Sequence, residues 1–495
     1  MKGPLLVVAA LLLLAPVAQA QETAPSPAPT PAPTPVPAPA PDELARLRAT
    51  VDAQQRALAE LEARVARTEA TAPAPPPPAP PAPPPVEPYG GALGPPSAPV
   101  VVSGYVHVDW VAFRQTSQNE VNPTTRAPLN EDRFVLRRAR IRLESDQGLV
   151  HGALELDGNT INGPQARPWN AEVSLKWPPS APYVFPAELA QQTTREPFVM
   201  VSTGLLLTPF GFEIAELDIT RPFLERSTMA SELVPNSYDL GVRILGGYKL
   251  VNYALGIMNG DPIGERTFPG RDPDKSKDLV FRVGVSSEVI EGVRVDAGFS
   301  GLTGRGFHEG NGPSKDQLVW RDQNEDGIVQ QTELQSIPGS PATPSEGFQR
   351  FALGGDARVH VRIPVIGELT LRTELVRAKN LARGIFVADP VSSSRDLREL
   401  GWYVGGTQEL TRWALIGVRY DLFNPDADAT DQRPFALVPK DSSVSTWALM
   451  AMARWKKARL IAEYDRRKNA FGRDASGSPT TLADDSFTLR AVVGF

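Results

Sequence analysis

From Val101 to Phe495 apolar and polar residues alternate with a period of two in segment after segment, and the closing ten residues show it most plainly. Phe487, Leu489, Ala491, Val493 and Phe495 fall on one side of an extended chain, with Ser486, Thr488, Arg490, Val492 and Gly494 on the other. The oily face of such a strand must be covered, by a second sheet or by lipid. No apolar run after Ala20 approaches the roughly 20 residues that a membrane helix needs. The chain is therefore either a soluble sandwich or barrel, or it crosses a membrane as a closed barrel in which every backbone group is paired.

Sixteen such segments can be counted. The first, Val101 to Phe113, sets Val102, Val106, Val108 and Trp110 against Ser103, Tyr105, His107 and Asp109. In the second, Arg133 to Glu144, the expected outward row is Val135, Ala139, Ile141 and Leu143, and the inward row Arg138, Arg140, Arg142 and Glu144. Arg137 interrupts the outward row, where a long cation would snorkel to an interface. The pattern recurs over 149–157, 169–177, 198–208, 237–246, 248–258, 279–288, 293–303, 350–363, 368–377, 400–410, 412–423, 445–456, 459–467 and the closing strand. Most of these segments have the ~9 to 11 residues of a tilted membrane strand.

The connections discriminate between the two covers, because outer-membrane barrels alternate short turns with long outer loops. Residues 114–132, 159–168, 209–236, 259–278, 304–349, 378–399, 424–444 and 468–485 are long. Between them lie tight turns such as Asp146-Gln147-Gly148, Gly246-Gly247 and Ile290-Glu291-Gly292. Pro178 to Pro197 is too long for this scheme and leaves a strand boundary in question there. The alternation favours an all-β, sixteen-stranded antiparallel transmembrane barrel over 101–495, with both ends on one side.

The front end is different in kind. Lys2, the apolar run Leu5 to Leu14 and Ala18-Gln19-Ala20 read as a signal peptide over 1–20, so export is expected. With no Cys in the chain, neither lipidation nor disulfides brace it. Much of the chain's 50 prolines gathers in two spacers, 21–41 and 71–100, which favour extended polyproline conformations. Between them, 42–70 carries Leu44, Val51, Leu58 and Val65 at one heptad position and Leu47, Gln54, Leu61 and Thr68 at the other. This is the seam of an α-helical coiled coil that self-associates. A net charge of −6 with interspersed signs leaves no basic footprint for nucleic acid.

In order along the chain, Arg138-Ala139-Arg140-Ile141, Thr208-Pro209-Phe210-Gly211, Phe223-Leu224-Glu225-Arg226-Ser227, Asp239-Leu240-Gly241-Val242 and Ile257-Met258-Asn259-Gly260 resemble the phosphate-selective porin O and P family. The likeness covers Val101 to Phe495. It implies a homotrimeric outer-membrane porin of a Gram-negative bacterium, its third outer loop folded into the lumen and basic side chains guiding small anions such as phosphate. Some family members also look similar in carrying a periplasmic coiled coil. The chain departs from the pattern at Leu207, where the family often has a lysine.

Candidate lumen residues follow from the inward rows: Arg138, Arg140, Arg142, Arg294, Arg358, Arg362, Arg372 and Arg490, faced by Glu144, Glu155, Asp157, Asp296, Asp356, Glu368, Glu374 and Glu463. Guanidiniums there would bind phosphate through forked donors; the competing reading is that they pair across strands and hydrate a polar wall. In the third outer loop, Arg221, Glu225 and Arg226 are candidates for the constriction, with loop packing as the alternative role.

A separate signal lies in the longest loop. Asp322, Asn324, Asp326, the Ile328 carbonyl, Gln330 and Glu333 take the ligand positions of a twelve-residue calcium loop, with Gly327 at its sharp turn. Calcium is thus an expected structural cofactor, against the plainer reading of an acidic surface turn. Enzymatic readings find little support, since His107, His151, His308 and His360 are scattered and offer no nucleophile and base spacing. The expectation is an outer-membrane porin in contact with lipid, passing small hydrophilic solutes and favouring phosphate-like anions. The alternative is an envelope anchor whose arm engages the cell wall and whose calcium loop binds a surface partner.

Overall fold

An extended strand puts successive side chains on opposite faces, and closure into a barrel pairs the backbone of every strand along both edges. In the computed structural model the chain divides into two units, residues 1–91 and 92–495. The structure describes residues 99–495 except 115–123, 126–131, 162, 190–195, 261–273, 321–329, 434–435, 474–478 and 483, and before them only the helical positions Arg56 and Ala59. The signal peptide, both spacers and, apart from those two positions, the coiled-coil seam lie outside the described residues.

Sixteen antiparallel strands close into one barrel. They are β1 (Val101–Arg114), β2 (Arg133–Gln147), β3 (Val150–Asn159), β4 (Gln165–Trp177), β5 (Val199–Leu207), β6 (Tyr238–Tyr248), β7 (Val251–Met258) and β8 (Asp278–Ile290). Then come β9 (Val293–His308), β10 (Glu346–Ile363), β11 (Gly367–Lys379), β12 (Arg398–Thr411), β13 (Ala414–Asn424), β14 (Val444–Trp455), β15 (Ala458–Lys468) and β16 (Asp485–Gly494). β1 closes on β16 in a register running from Tyr105 opposite Gly494 to Phe113 opposite Ser486. Gly104 exchanges backbone hydrogen bonds with Phe495 at 3.3 and 3.0 Å. A Cβ on Gly104 would collide with the Phe495 ring, so a glycine is needed where the two ends of the barrel chain meet.

Two rings of aromatic side chains mark the outward face. Trp402, Tyr420 and Trp447 form a row near the long-loop end, with centroids 5.3 and 4.9 Å apart, and Trp110 and Phe487 meet at 6.1 Å. At the short-turn end Phe198 meets Tyr248 at 5.9 Å, and Trp177, Trp455 and Phe495 are exposed. Trp447 and Trp455 are eight residues apart on β14 (447 to 455). At ~3.3 Å per residue and a tilt of ~40° the band between the rings is roughly 20 Å tall.

The second strand departs from simple alternation. His107 pairs with Arg138 but Val108 pairs with Leu136, so Arg137 is the extra residue of a β-bulge. The expected outward placement of Arg137 and Val135 is corrected by this bulge. Arg137 joins Arg138 inside the barrel, Val135 lines a hollow with Arg133 and Arg137, and Phe134 takes the outward position at 80% exposure. A similar register shift between β3 and β4 lets Trp169 lie over Arg140, 4.1 Å from its guanidinium, while its neighbour Asn170 bonds Arg142.

The long segment between β4 and β5 reflects no misplaced boundary. It folds back into the lumen and carries a short helix, α1 (Pro186–Leu189). Val184 and Leu189 pack on Met200, Leu245 and Ala254, and Phe185 packs on Leu205, Leu207 and Tyr238. Leu207 thus contributes to an apolar contact inside the barrel.

Candidate functional site

The third long connection, 208–237, turns inward at Pro209-Phe210-Gly211. Gly211 has φ +63° and sits so close to the Glu374 carboxylate that no Cβ fits. The loop then crosses the lumen and is fastened to wall after wall. The Gly211 amide donates to Ser300 Oγ of β9 at 3.0 Å, Glu213 meets Arg419 of β13 at 3.3 Å, and Arg372 of β11 meets Glu216 at 3.2 Å. The Leu224 amide donates to Glu463 of β15 at 2.9 Å. Its helix α2 (Thr228–Leu233) is capped by Ser227, and the Thr228 amide donates to Asp421 at 3.1 Å.

Apolar packing fills one half of the barrel. Phe210, Ile214, Met229 and Leu233 of the loop pack against Val280, Leu302, Ala352, Val376, Tyr403 and Phe423 of β8 to β13. Leu381 and Ala382, from the connection after β11, join the same cluster near α2. Open space is left along the other wall. A cavity of about 440 Å³ is lined at the short-turn end by Tyr105, Arg140, Arg142, Phe185, Leu217 and Arg459, among others. One of about 190 Å³ lies at the long-loop end of the same strands, lined by Asp109, Arg137, Leu224, Glu225, Asp465 and Arg490 among others.

Between these two spaces stands a charged eyelet. Arg138 lies 3.1 Å from Asp218 and 3.2 Å from Glu225; Arg140 lies 2.7 Å from Asp218 and 3.1 Å from Asp157. Arg137 and Arg490 reach Glu225 at 2.9 and 2.7 Å, and Arg490 also holds Asp109 at 2.7 Å. Arg221 pairs with Asp218 at 2.7 Å. Enclosure alone would raise the Asp218 pKa, but the guanidiniums of Arg138, Arg140 and Arg221 outweigh it and hold the carboxyl well below the usual range. Burial, with Arg221 nearby, brings Arg226 down to about 10; its Nη2 donates to Ser237 Oγ at 2.8 Å.

Of the sequence candidates, the structure brings together Arg138, Arg140, Arg142, Arg221 and Arg226. Arg142 pairs with Glu144 and Glu155 at 2.9 and 3.3 Å. Arg358 and Arg372 stand on the filled side, Arg358 stacked 3.5 Å from the Phe212 centroid. Arg362 lines a separate hollow of about 400 Å³ at the short-turn rim with Lys249, Arg294 and His360. Arg137, Arg459 and Asp218 were missed. Arg459 shares its face with Glu463 four residues on and was recoverable by counting, whereas Arg137 needed the bulge.

Asp322, Asn324, Asp326 and Ile328 lie outside the described residues. The flanks of that stretch are strands, not the helices of a helix-loop-helix calcium site: Gln317–Trp320 pairs with Leu334–Ile337, setting Trp320 opposite Leu334. Gln330 is extended and Glu333 ends a short 3₁₀ turn. Among the described residues no group of three or more His, Asp or Glu is placed to hold a metal.

No protein-family model matches the chain. No curated protein matches it either. Solved structures similar to it include OmpT, an outer membrane protein of Vibrio cholerae, in its trimer form, at 11% identity and a TM-score of 0.45, covering 80% of this chain and 99% of that one. The outer membrane channel DcaP of Acinetobacter baumannii is 12% identical at a TM-score of 0.47, covering 80% and 97%. An anion-selective porin from Comamonas acidovorans is 11% identical at 0.42, covering 80% and 100%.

Proposed function

We propose that this chain is an outer-membrane porin, a passive pore for small hydrophilic solutes with a preference for phosphate-like anions. Two aromatic rings about an apolar band of roughly 20 Å support the membrane setting, with the long loops outward and both barrel ends in the periplasm. The observation that carries the function is the pair of polar spaces on either side of residues 217–226, aligned along β1, β2, β15 and β16. A barrel serving only as an anchor has no need of a lumen filled on one side and left open on the other.

The eyelet itself is close to balanced, because Asp109, Asp157, Asp218 and Glu225 stand against Arg137, Arg138, Arg140, Arg221 and Arg490. The preference for anions resides in the inner vestibule, where Arg140, Arg142, Arg454, Lys456, Lys457 and Arg459 line the space with Glu155 as the carboxylate among them. Forked guanidinium donors in a space walled by protein suit phosphate, and the field there is less screened than at an open surface. The 42–70 coiled coil would hold three barrels together from the periplasm and leave the arm free to touch the cell wall.

Current through purified full-length protein in a planar bilayer under a salt gradient tests this reading. A reversal potential on the anion side and block by added phosphate are expected. Cation preference removes the phosphate assignment, and no conductance at all removes the porin.

A further inference from the structure

Outside the lumen, at the long-loop end of β8 to β11, the barrel wall carries a groove of about 590 Å³. Its lining includes Lys277, Arg305 and Lys379 with Leu279, Thr303 and Phe351. These side chains point away from the lumen. Leu279 and Phe351 are 42% and 43% exposed, whereas Val280 and Ala352, one residue on, are buried in the inner cluster. The register sets Leu279 opposite Thr303, Thr303 opposite Phe351 and Phe351 opposite Lys379, so the four form one rung across four strands. Arg305 stands two residues further toward the loops on β9, and Lys277 two residues before Leu279, just ahead of β8. Directly below the rung the same face carries Phe281, Gly301, Leu353 and Arg377, and below those Val283, Phe299, Gly355 and Leu375.

A wall with three cations at and above the rung, Arg377 at one edge and apolar side chains below on the other strands matches an amphiphile with an anionic head and acyl chains. Lys277 Nζ donates to the Ser276 carbonyl at 3.0 Å, Arg305 Nη2 to the Gly347 carbonyl at 3.4 Å, and Lys379 meets the half-exposed Asp396 at 2.7 Å. The neighbouring Asp278 is drawn inward by Arg350 at 2.9 Å and does not repel an anion in the groove. Resting on the reading of the barrel as outer-membrane with its long loops outward, we propose that this groove binds a phosphorylated, acylated saccharide lipid of the outer leaflet, its phosphate held by Lys277, Arg305 and Lys379 and its chains laid along Leu279, Phe351 and Leu353.

Native mass spectrometry of the full-length protein in detergent, titrated with rough-type lipopolysaccharide, tests this. The wild type is expected to retain the lipid, and the triple variant Lys277→Gln, Arg305→Gln, Lys379→Gln to bind it at least tenfold more weakly. Because all three side chains face outward, the variant's channel conductance is expected to be unchanged, which separates this site from the pore. In the wild type, enzymatically dephosphorylated lipid is expected to bind as weakly as the variant does. Equal retention of the dephosphorylated lipid, equal binding by a variant that still conducts, or full displacement of the lipid by millimolar inorganic phosphate overturns the proposal.

Discussion

Glu225 of the inward loop accepts a hydrogen bond from Arg490 of the closing strand at 2.7 Å, across 265 residues of chain. The same carboxylate meets Arg137 and Arg138, so the loop is tied to the seam where the barrel shuts. Enclosure by the barrel alone would raise the Glu225 pKa, yet Arg137, Arg138 and Arg490 outweigh it and hold the carboxyl well below the usual range. A depressed folded-state pKa contributes stability that is present above the unfolded value of ~4 and is lost only as pH falls through the lower folded one. These contacts therefore persist throughout pH 5 to 8. Glu225→Gln at pH 7 removes the negative charge without acid, and its reversal potential is expected to move further to the anion side. An unchanged potential, or a shift toward cations, would mean that Glu225 does not face the conducting path.

His107 stands at the same level, opposite Arg138 on β2, its ring tilted by 37° against that of Tyr105 at 4.7 Å. It is 1% exposed, and neither ring nitrogen has a hydrogen-bond partner among the described residues. Both nitrogens are also shut off from solvent, so the ring bears the desolvation cost of unpaired polar atoms. His107→Phe keeps the ring contact and removes those atoms. Heat-induced unfolding is expected to move to higher temperature with phosphate block and chloride conductance unchanged; a weakened phosphate block would show that the imidazole reaches the conducting path.

All sixteen strands were legible because each constraint on a membrane strand acts on adjacent residues: alternation along it, turn residues at one end, a long loop at the other. The inward rows were legible as far as alternation held. It failed at Arg137, where two consecutive arginines both face the lumen, since a bulge depends on the partner strand and leaves no periodic trace. It also failed to foretell the filled half of the barrel. Val280, Leu302, Ala352 and Val376 occupy inward positions expected to be polar, and only the loop that covers them explains why. The inward turn after β4 showed in the sequence as an anomaly of length, and the apolar residues Val184, Phe185 and Leu189 within it were the signal of burial.

Glu213 links two layers of the plug. It lies almost wholly out of solvent, accepts from the Ser227 amide at 3.0 Å and pairs with Arg419 at 3.3 Å. Its removal leaves the buried Arg419 with Asp421 at 3.5 Å and the Glu225 and Arg226 carbonyls, and so costs less than the about 3 to 5 kcal/mol of a fully uncompensated buried charge. Glu213→Ala is expected to loosen the loop while the barrel wall stays closed, so that conductance rises and becomes noisy and heat-induced unfolding moves to lower temperature. A variant with wild-type single-channel current and stability would show that the apolar cluster alone seats the loop.

Calcium makes a separable prediction. The hairpin Gln317–Trp320 with Leu334–Ile337 brings the two ends of the acidic stretch side by side, which lowers the entropy cost of closing it around an ion. Six oxygen positions from Asp322 to Glu333 would then fold about one Ca²⁺ in the millimolar range typical of extracellular sites. Calorimetry on the full chain is expected to give a calcium heat that Asp322→Ala abolishes and magnesium does not reproduce. If calcium orders the loop over the pore mouth, the same substitution shifts the reversal potential; an unchanged potential would set calcium binding apart from the conducting path. No calcium heat in the wild type would leave the stretch as an acidic turn at the tip of a hairpin, with its charge available to repel anions from the entrance.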